Sequence, residues 1–279
     1  MKLIALGDNC VDVYCNKNEV HPGGNAVNVA VHAARCGAQS EYIGNLADDD
    51  YAAHLVKALK KNRVRYDRCP VIPNSVTKQC VYEVTDGERS FVKVMTGDAW
   101  AGPVAVSEEL KEVLSQADVI VSSCNAKIPE QLSSVEELPP VFVFDFGEKD
   151  KYRTDEYCDM VCKAIDLAMF SCSPMSEEEF AAFARPYHER GVMHVLATMG
   201  GEGQIISNGS QILRRRIRQV TPHDTMGAGD SFLAGFVCTL QKSGWKKGMR
   251  MPSGALEEAL LAGQNVSREN VLSPGGFGD

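Results

Sequence analysis

Asp224-Thr225-Met226-Gly227-Ala228-Gly229-Asp230-Ser231 stands immediately before a stretch in which Phe232, Phe236 and Leu240 recur at helical spacing. That spacing predicts a helix over residues 227–242. Gly227, Ala228 and Gly229 carry no bulky side chain, so their backbone N–H groups can approach an anion closely, and the helix N-terminus adds about half a positive charge. The segment reads as a phosphate site. Asp230 is the odd residue in it, because a carboxylate repels phosphate unless it faces the other reactant and accepts that reactant's proton. Complementing the helix dipole is the competing account of Asp230, and on these residues alone the two stand level. The absence of Gly-Lys-Ser/Thr and of Gly-x-Gly-x-x-Gly separates the segment from a Walker loop and from a dinucleotide fingerprint.

Outward from this helix the chain alternates short apolar runs with helical periodicity. Strands are predicted over residues 3–6, 40–43, 118–122, 141–146, 167–171 and 193–199, the fourth of these being a continuous Val-Phe-Val-Phe run of the kind a parallel sheet covered on both faces requires. Helices are predicted over residues 24–36, from an Asp48 or Asp49 cap through Leu59, from the Ser176–Glu179 capping box to Arg190, and over 255–265. Residues 77–85 and 89–96 break the alternation as a hairpin around Asp86-Gly87, and a second hairpin turns at Asn208-Gly209 between 205–207 and 212–217. The fold class that follows is a three-layer α/β/α domain with a mostly parallel central sheet, from which the first hairpin projects as a small β lid. In such sheets ligands sit beyond the carboxyl ends of the strands.

Two further segments fall on that edge. Gly7-Asp8-Asn9-Cys10-Val11-Asp12 follows the first strand, and Gly23-Gly24-Asn25-Ala26-Val27-Asn28 opens the first helix. Asp12 accepts hydrogen bonds while Asn25 and Asn28 both donate and accept, which equips the region to grip vicinal hydroxyls. Capping and turn chemistry explains Asn25 as well, but not Asn28, a full turn inside the helix. Thr198-Met199-Gly200-Gly201-Glu202-Gly203 is a glycine-rich turn after a strand, readable as a plain tight turn or as a loop on which a nucleotide lies flat.

Composition limits the function classes. The 279 residues are 44% hydrophobic and 24% charged with a net charge of −8, so a folded core is expected and nucleic-acid backbones are repelled. No apolar run approaches the ~20 residues of a membrane span, and residues 1–10 lack a signal-peptide pattern. Ten cysteines without a Cys-x-x-Cys pair point to reduced thiols and a cytoplasmic location. Cys158 and Cys162 share a helical face without a nearby His and read as small buried hydrophobes. Arg214, Arg216 and Arg218 alternate as one face of a strand, a solvated basic stripe.

The chain resembles the ribokinase-like carbohydrate kinases, the phosphofructokinase B-type family, along essentially its whole length. Asp-Thr-x-Gly-Ala-Gly-Asp at 224–230 and Gly-Gly-Asn-x-x-Asn at 23–28 carry the resemblance, and Gly-Asp-Asn-Cys-Val-Asp at 7–12 is most like the members that phosphorylate Amadori products of lysine. The resemblance implies one kinase domain over residues 1–279, with a β lid from about 10–22 and 75–100. It implies ATP-dependent transfer of the γ-phosphoryl group to the C6 hydroxyl of a fructosamine, with fructose, nucleosides or a non-catalytic sensor role as alternatives. Asp230 then matches the catalytic base, and Gly227, Ala228, Gly229 and Asp230 the anion hole. Asp12, Gly24 and Asn28 match sugar-binding positions, and Thr198, Gly200 and Gly203 a nucleotide-binding turn. Asp224 matches a monovalent-cation position, so ATP and Mg²⁺ are expected, with K⁺ as an activator. Three departures accompany it, one of them Ala52 in place of the usual Gly after the double Asp. The Asn-x-x-Glu that supports the magnesium nucleotide is missing from residues 170–177, and only ten residues separate Asp12 from Gly23, which leaves a short lid and room for a homodimer to complete it.

Overall fold

Apolar runs that end in a turn residue become strands, and the periodic stretches between them become helices. The computed structural model describes residues 1–85 and 88–278. In chain order its elements are β1 (Lys2–Leu6), β2 (Cys10–Tyr14), β3 (Glu19–Gly23), α1 (Asn25–Arg35), β4 (Gln39–Ile43), α2 (Asp50–Lys61), β5 (Gln79–Thr85), β6 (Glu88–Met95), α3 (Glu108–Ser115) and β7 (Val119–Ser123). They continue with β8 (Val141–Asp145), α4 (Asp155–Val161), β9 (Leu167–Ser171), α5 (Glu177–Glu189), β10 (His194–Thr198), β11 (Gln204–Ser207), β12 (Ile212–Arg215), α6 (Ala228–Lys242) and α7 (Ser253–Asn270). The Asp86-Gly87 turn itself lies outside the described residues.

One sheet has the order β12-β11-β10-β9-β8-β7-β1-β4, parallel from β10 through β4, with β11 and β12 antiparallel at the far edge. Side-chain alternation along its strands separates two cores. Leu3 and Ala5 of β1 and Val141 and Val143 of β8 face α1, α2, α6 and α7, whereas Ile4, Leu6, Phe142 and Phe144 face α3, α4 and α5. These are the three layers anticipated from the alternation. Phe144 is fully buried among Phe146 and Tyr157, and truncating such a side chain to Ala typically costs about 3–5 kcal/mol. Helix starts follow local chemistry: the Asp49 carboxylate accepts from the Ala52 N–H at 2.8 Å, and Ser176 and Glu179 form a reciprocal capping box on α5.

A second sheet, β3-β2-β5-β6, pairs β2 with β5 in parallel and the other neighbours antiparallel. Residues alone read 8–23 as a loop leading to α1. The structure makes a hairpin there, with Asn18 in the left-handed conformation at its turn and Pro22 tolerated because β3 is an edge strand. A second correction concerns the arginine stripe. β12 ends at Arg215, so Arg216 and Arg218 lie beyond the strand, while Arg214 donates to the Met175 carbonyl on the other side. α7 extends to Asn270, five residues past the predicted stop.

Candidate active site

The carboxyl ends of β1, β7 and β8 and the N-termini of α1 and α6 converge on Asp230. Gly227 caps α6 with φ of 68°, and a Cβ there would lie 2.4 Å from the Gly276 carbonyl oxygen, so only glycine fits. The turn delivers Asp230 into the first turn of α6 with its side chain buried. Oδ1 accepts from Asn25 Nδ2 and Oδ2 from Asn28 Nδ2, each at 2.8 Å. The two donors stand three residues apart on α1, so two helix N-termini meet over one carboxylate. Asn25 is held in turn by Asn125 Nδ2, which donates to its Oδ1 at 2.5 Å. Burial pushes the Asp230 carboxyl up to about 7; the Asn28 amide holds it back, Asp145 pushes it further, Asn25 restrains it, and Asp8 adds to the rise. A carboxyl poised near neutrality is matched to proton transfer at physiological pH. Among the four candidate anion-hole positions, the Ala228 N–H already makes a long 3.3 Å turn contact with the Thr225 carbonyl.

Two further carboxylates face the same region, and sequence reasoning assigned neither. Asp145 ends β8 and shares a small cavity with Asp230, Asn25, Ser122 and Ser123. Burial raises it to about 6 against the restraint of the Gly147 N–H, which donates at 2.8 Å. Its place at the carboxyl end of the buried Val-Phe-Val-Phe strand was the available signal. Asp8 follows β1; burial raises its carboxyl, opposed by Lys78 and then by backbone amides including those of Ala26 and Asn25, and its Oδ1 is buried without a hydrogen-bond partner among the described residues.

The candidate sugar residues lie together. Asp12 on β2 is buried, with Cys10 Sγ 3.9 Å from its Oδ1. Gly24, with φ of 106°, lets the loop after β1 pack against the start of α1, since a Cβ would meet Asn9 Cα at 2.6 Å. Asn28 is buried beside Gly276 and Asp230. Trp100 forms a wall nearby. It lines a narrow pocket with Asp8, Asn9 and Asn125, donates Nε1 to the Asn125 carbonyl at 3.2 Å, and carries Lys78 Nζ at 4.3 Å and Lys127 Nζ at 3.5 Å from its ring centroid.

Asp224 is engaged from several sides. Its Oδ1 accepts from the Met226 N–H at 2.9 Å, and its Oδ2 accepts from the Tyr14 hydroxyl and from the Gly275 N–H at 2.8 Å. Beyond the α6 N-terminus opens a cavity of about 740 Å³, within the range of nucleotide-sized sites. Thr225 and Ala228 stand at one end, Leu261 and Val271 give it apolar wall, and Arg215, Arg216, Arg218 and Arg268 supply positive charge. Of the predicted nucleotide turn, Gly200 and its neighbour Gly201 line this cavity. Thr198 Oγ1 turns back to the Phe170 carbonyl at 3.3 Å, and Gly203, with φ of 94°, presses against the Arg215 backbone.

Comparison with known proteins agrees with this layout. The pfkB family carbohydrate kinase model matches residues 1–277. The fructosamine kinase FrlD of Bacillus subtilis (strain 168) is 37% identical over 238 residues, covering 85% of this chain and 82% of its own. Fructoselysine 6-kinase of Escherichia coli (strain K12) is 33% identical over 270 residues, covering 95% and 98%. Among solved structures, Arabidopsis thaliana ribokinase complexed with ribose and ATP superposes with a TM-score of 0.80 at 20% identity, covering 99% of this chain and 94% of that one. Fructokinase with bound ATP from Xylella fastidiosa gives 0.80 at 17% identity with the same coverage. A glycine-capped helix aimed at a nucleotide-sized cavity, with a neutral-range carboxyl in its first turn, is therefore found in a chain that belongs to the pfkB family of carbohydrate kinases and is an ATP-dependent sugar kinase of ribokinase-like fold.

Proposed function

We propose that the protein transfers the γ-phosphoryl group of ATP to the C6 hydroxyl of a fructosamine such as fructoselysine. The observation that carries the phosphotransfer chemistry is the Asp230 carboxyl, held near neutrality between Asn25 and Asn28 at the start of α6. The substrate rests on the two fructosamine-directed relatives, each at least 33% identical over most of the chain.

The nucleotide lies in the large cavity past Gly200, with its γ-phosphate toward the amides of Gly227, Ala228, Gly229 and Asp230. Asp12, Gly24 and Asn28 position the sugar. Asp230 takes the C6 hydroxyl proton as the new O–P bond forms and the bond to the ADP oxygen breaks. Charge on the transferred group is spread over its equatorial oxygens, so positioned N–H donors supply much of the stabilisation. Mg²⁺, when bound with ATP, neutralises phosphate charge. Asp145 is the residue that would hold it, because it shares a small cavity with Asp230 and its charge adds to the rise that burial produces in the Asp230 carboxyl, a repulsion that a cation would relieve. Asp224 suits K⁺ less well, since its oxygens already take three protein donors.

A fructosamine differs from a plain ketose in a secondary amine that is protonated at neutral pH. Asp8, with a buried oxygen that no donor among the described residues reaches, supplies the charge to meet it. The whole chain acts as one kinase domain with the second sheet as its lid. Edge strand β6 exposes Phe91, Val92, Val94 and Met95 on both faces, the surface on which a second copy closes. Ten free thiols suit the cytoplasm, and among the described residues no helix is long and apolar enough to cross a membrane.

ADP release measured over fructoselysine, other glycated amino acids, fructose and nucleosides tests the reading. The highest kcat/KM is expected for a glycated amino acid. Fructose matching or exceeding all of them would make the protein an ordinary hexose kinase.

A further inference from the structure

The two thiols beside Asp12 are used by nothing described so far. β2 and β5 pair in parallel with Asp12 opposite Cys80, so the period-two pleat puts Cys10, Asp12 and Cys80 on one face of the second sheet. Cys10 and Asp12 are buried, and Cys80 is half-buried. Cys10 Sγ lies 3.9 Å from Asp12 Oδ1, and one ligand atom from each of the three residues lies within 4.8 Å of the other two. A tetrahedral zinc ion with bonds of about 2.3 Å to sulfur and about 2.0–2.2 Å to oxygen has ligand-to-ligand edges of roughly 3.5–3.8 Å. The three atoms, each within 4.8 Å of the others, are thus brought onto one triangular face of such a tetrahedron by a small shift of side chains.

The donor set discriminates among metals. Two sulfurs and one carboxylate oxygen suit Zn²⁺ or Cd²⁺ and are a poor match for Mg²⁺ or Ca²⁺, which take oxygen. Among the described residues only Cys10, Asp12 and Cys80 bring three such ligand atoms together. Lys78 and Asp8 act on the group as well, the ammonium opposing a cation and the carboxylate favouring it.

We infer that Cys10, Asp12 and Cys80 form a binding site for a thiophilic divalent cation, Zn²⁺ being the physiological candidate, with its fourth position open. An ion there occupies the carboxylate proposed to hold sugar hydroxyls, so zinc inhibits the kinase in competition with sugar and not with ATP. The binding rests on geometry alone; the inhibition rests also on the proposed sugar role of Asp12.

The test uses the full chain, reduced and metal-free. Cd²⁺ titration is read by thiolate-to-metal charge-transfer absorption, and Zn²⁺ by competition with a chromophoric chelator. One equivalent is expected to bind. Cys80→Ser is expected to weaken binding at least about tenfold, the scale set even by lost outer-shell partners, while metal-free kcat stays within twofold. A Cys36→Ser/Cys158→Ser variant should bind as the wild type does. Absence of uptake, or equal affinity in Cys80→Ser, overturns the site. In the kinetic arm zinc should raise KM for sugar and leave KM for ATP unchanged. Stoichiometric binding without that rise upholds the metal site and overturns the sugar role of Asp12.

Discussion

The hydroxyl of Tyr14 donates to the carboxylate of Asp224, joining the second sheet to the loop that opens α6 across 210 residues of chain. Tyr14→Phe leaves that buried carboxylate one donor short, which costs about 1–3 kcal/mol. A fall in Tm of several degrees is expected by calorimetry, together with a rise in KM for sugar larger than that for ATP. Because Asp224 is served by protein donors, wild-type rates in potassium and sodium should agree within about twofold. A tenfold potassium preference would show that an ion displaces one of those donors.

Asp230→Asn keeps the shape of the side chain but cannot accept the substrate proton. Loss of a general base typically costs about 10²–10⁴ in rate, so kcat should fall by that factor while ATP affinity changes only a few-fold. Retention of half the wild-type kcat removes Asp230 from the mechanism.

The raised Asp230 carboxyl sets a pH dependence with a definite sign. The acceptor form is the ionised one, so kcat/KM should rise with pH through about 7 and fall roughly tenfold per unit below it. Asn28→Ala removes the larger of the two amide restraints on that carboxyl, so the midpoint should move to higher pH as KM for sugar rises. A midpoint that stays fixed or moves down contradicts the assignment.

Asp8→Asn tests recognition of the amine. The variant should lose roughly tenfold to a hundredfold in kcat/KM for fructoselysine, the scale of leaving a charged group without its partner, with fructose turnover changed less than threefold. Equal losses on both substrates would make Asp8 a structural cap for the α1 amides.

Phe91→Glu places a charge on the exposed edge of the second sheet. Analytical ultracentrifugation should show a dimer for the wild type and a monomer for the variant, with thermal stability little changed because Phe91 is 61% exposed. A wild-type monomer at micromolar concentration removes the proposed closing surface.

How much of this was legible depends on how local the signal is. The Val-Phe-Val-Phe strand and the Ser176–Glu179 capping box are written within a few residues and formed as read, and of the two cap candidates Asp48 and Asp49 the structure uses Asp49. The β2–β3 hairpin was illegible to periodicity, because its strands are five residues each and carry Asp12, His21 and Pro22 among their apolar positions. Contacts over long separations left no trace either: Tyr14 with Asp224, Asn25 with Asn125, and Gly276 against both Asn28 and Gly227 are decided by folding geometry. Asp145 lay at a legible place, the end of a buried strand, but its role depends on nearness to Asp230. The arginine stripe failed because alternation in a sequence does not say where a strand stops.

Trp100, caught between two ammonium groups at the wall of the sugar region, makes the protein its own optical instrument. Only two tryptophans are present, and the other, Trp245, is sealed in the core beside His194. Indole emission responds to nearby charge, so any ligand that draws Lys78 or Lys127 away from the ring changes the colour of one tryptophan while the other serves as an internal standard. Arrival of the sugar can then be followed in real time on the unlabelled protein, without ATP and without turnover.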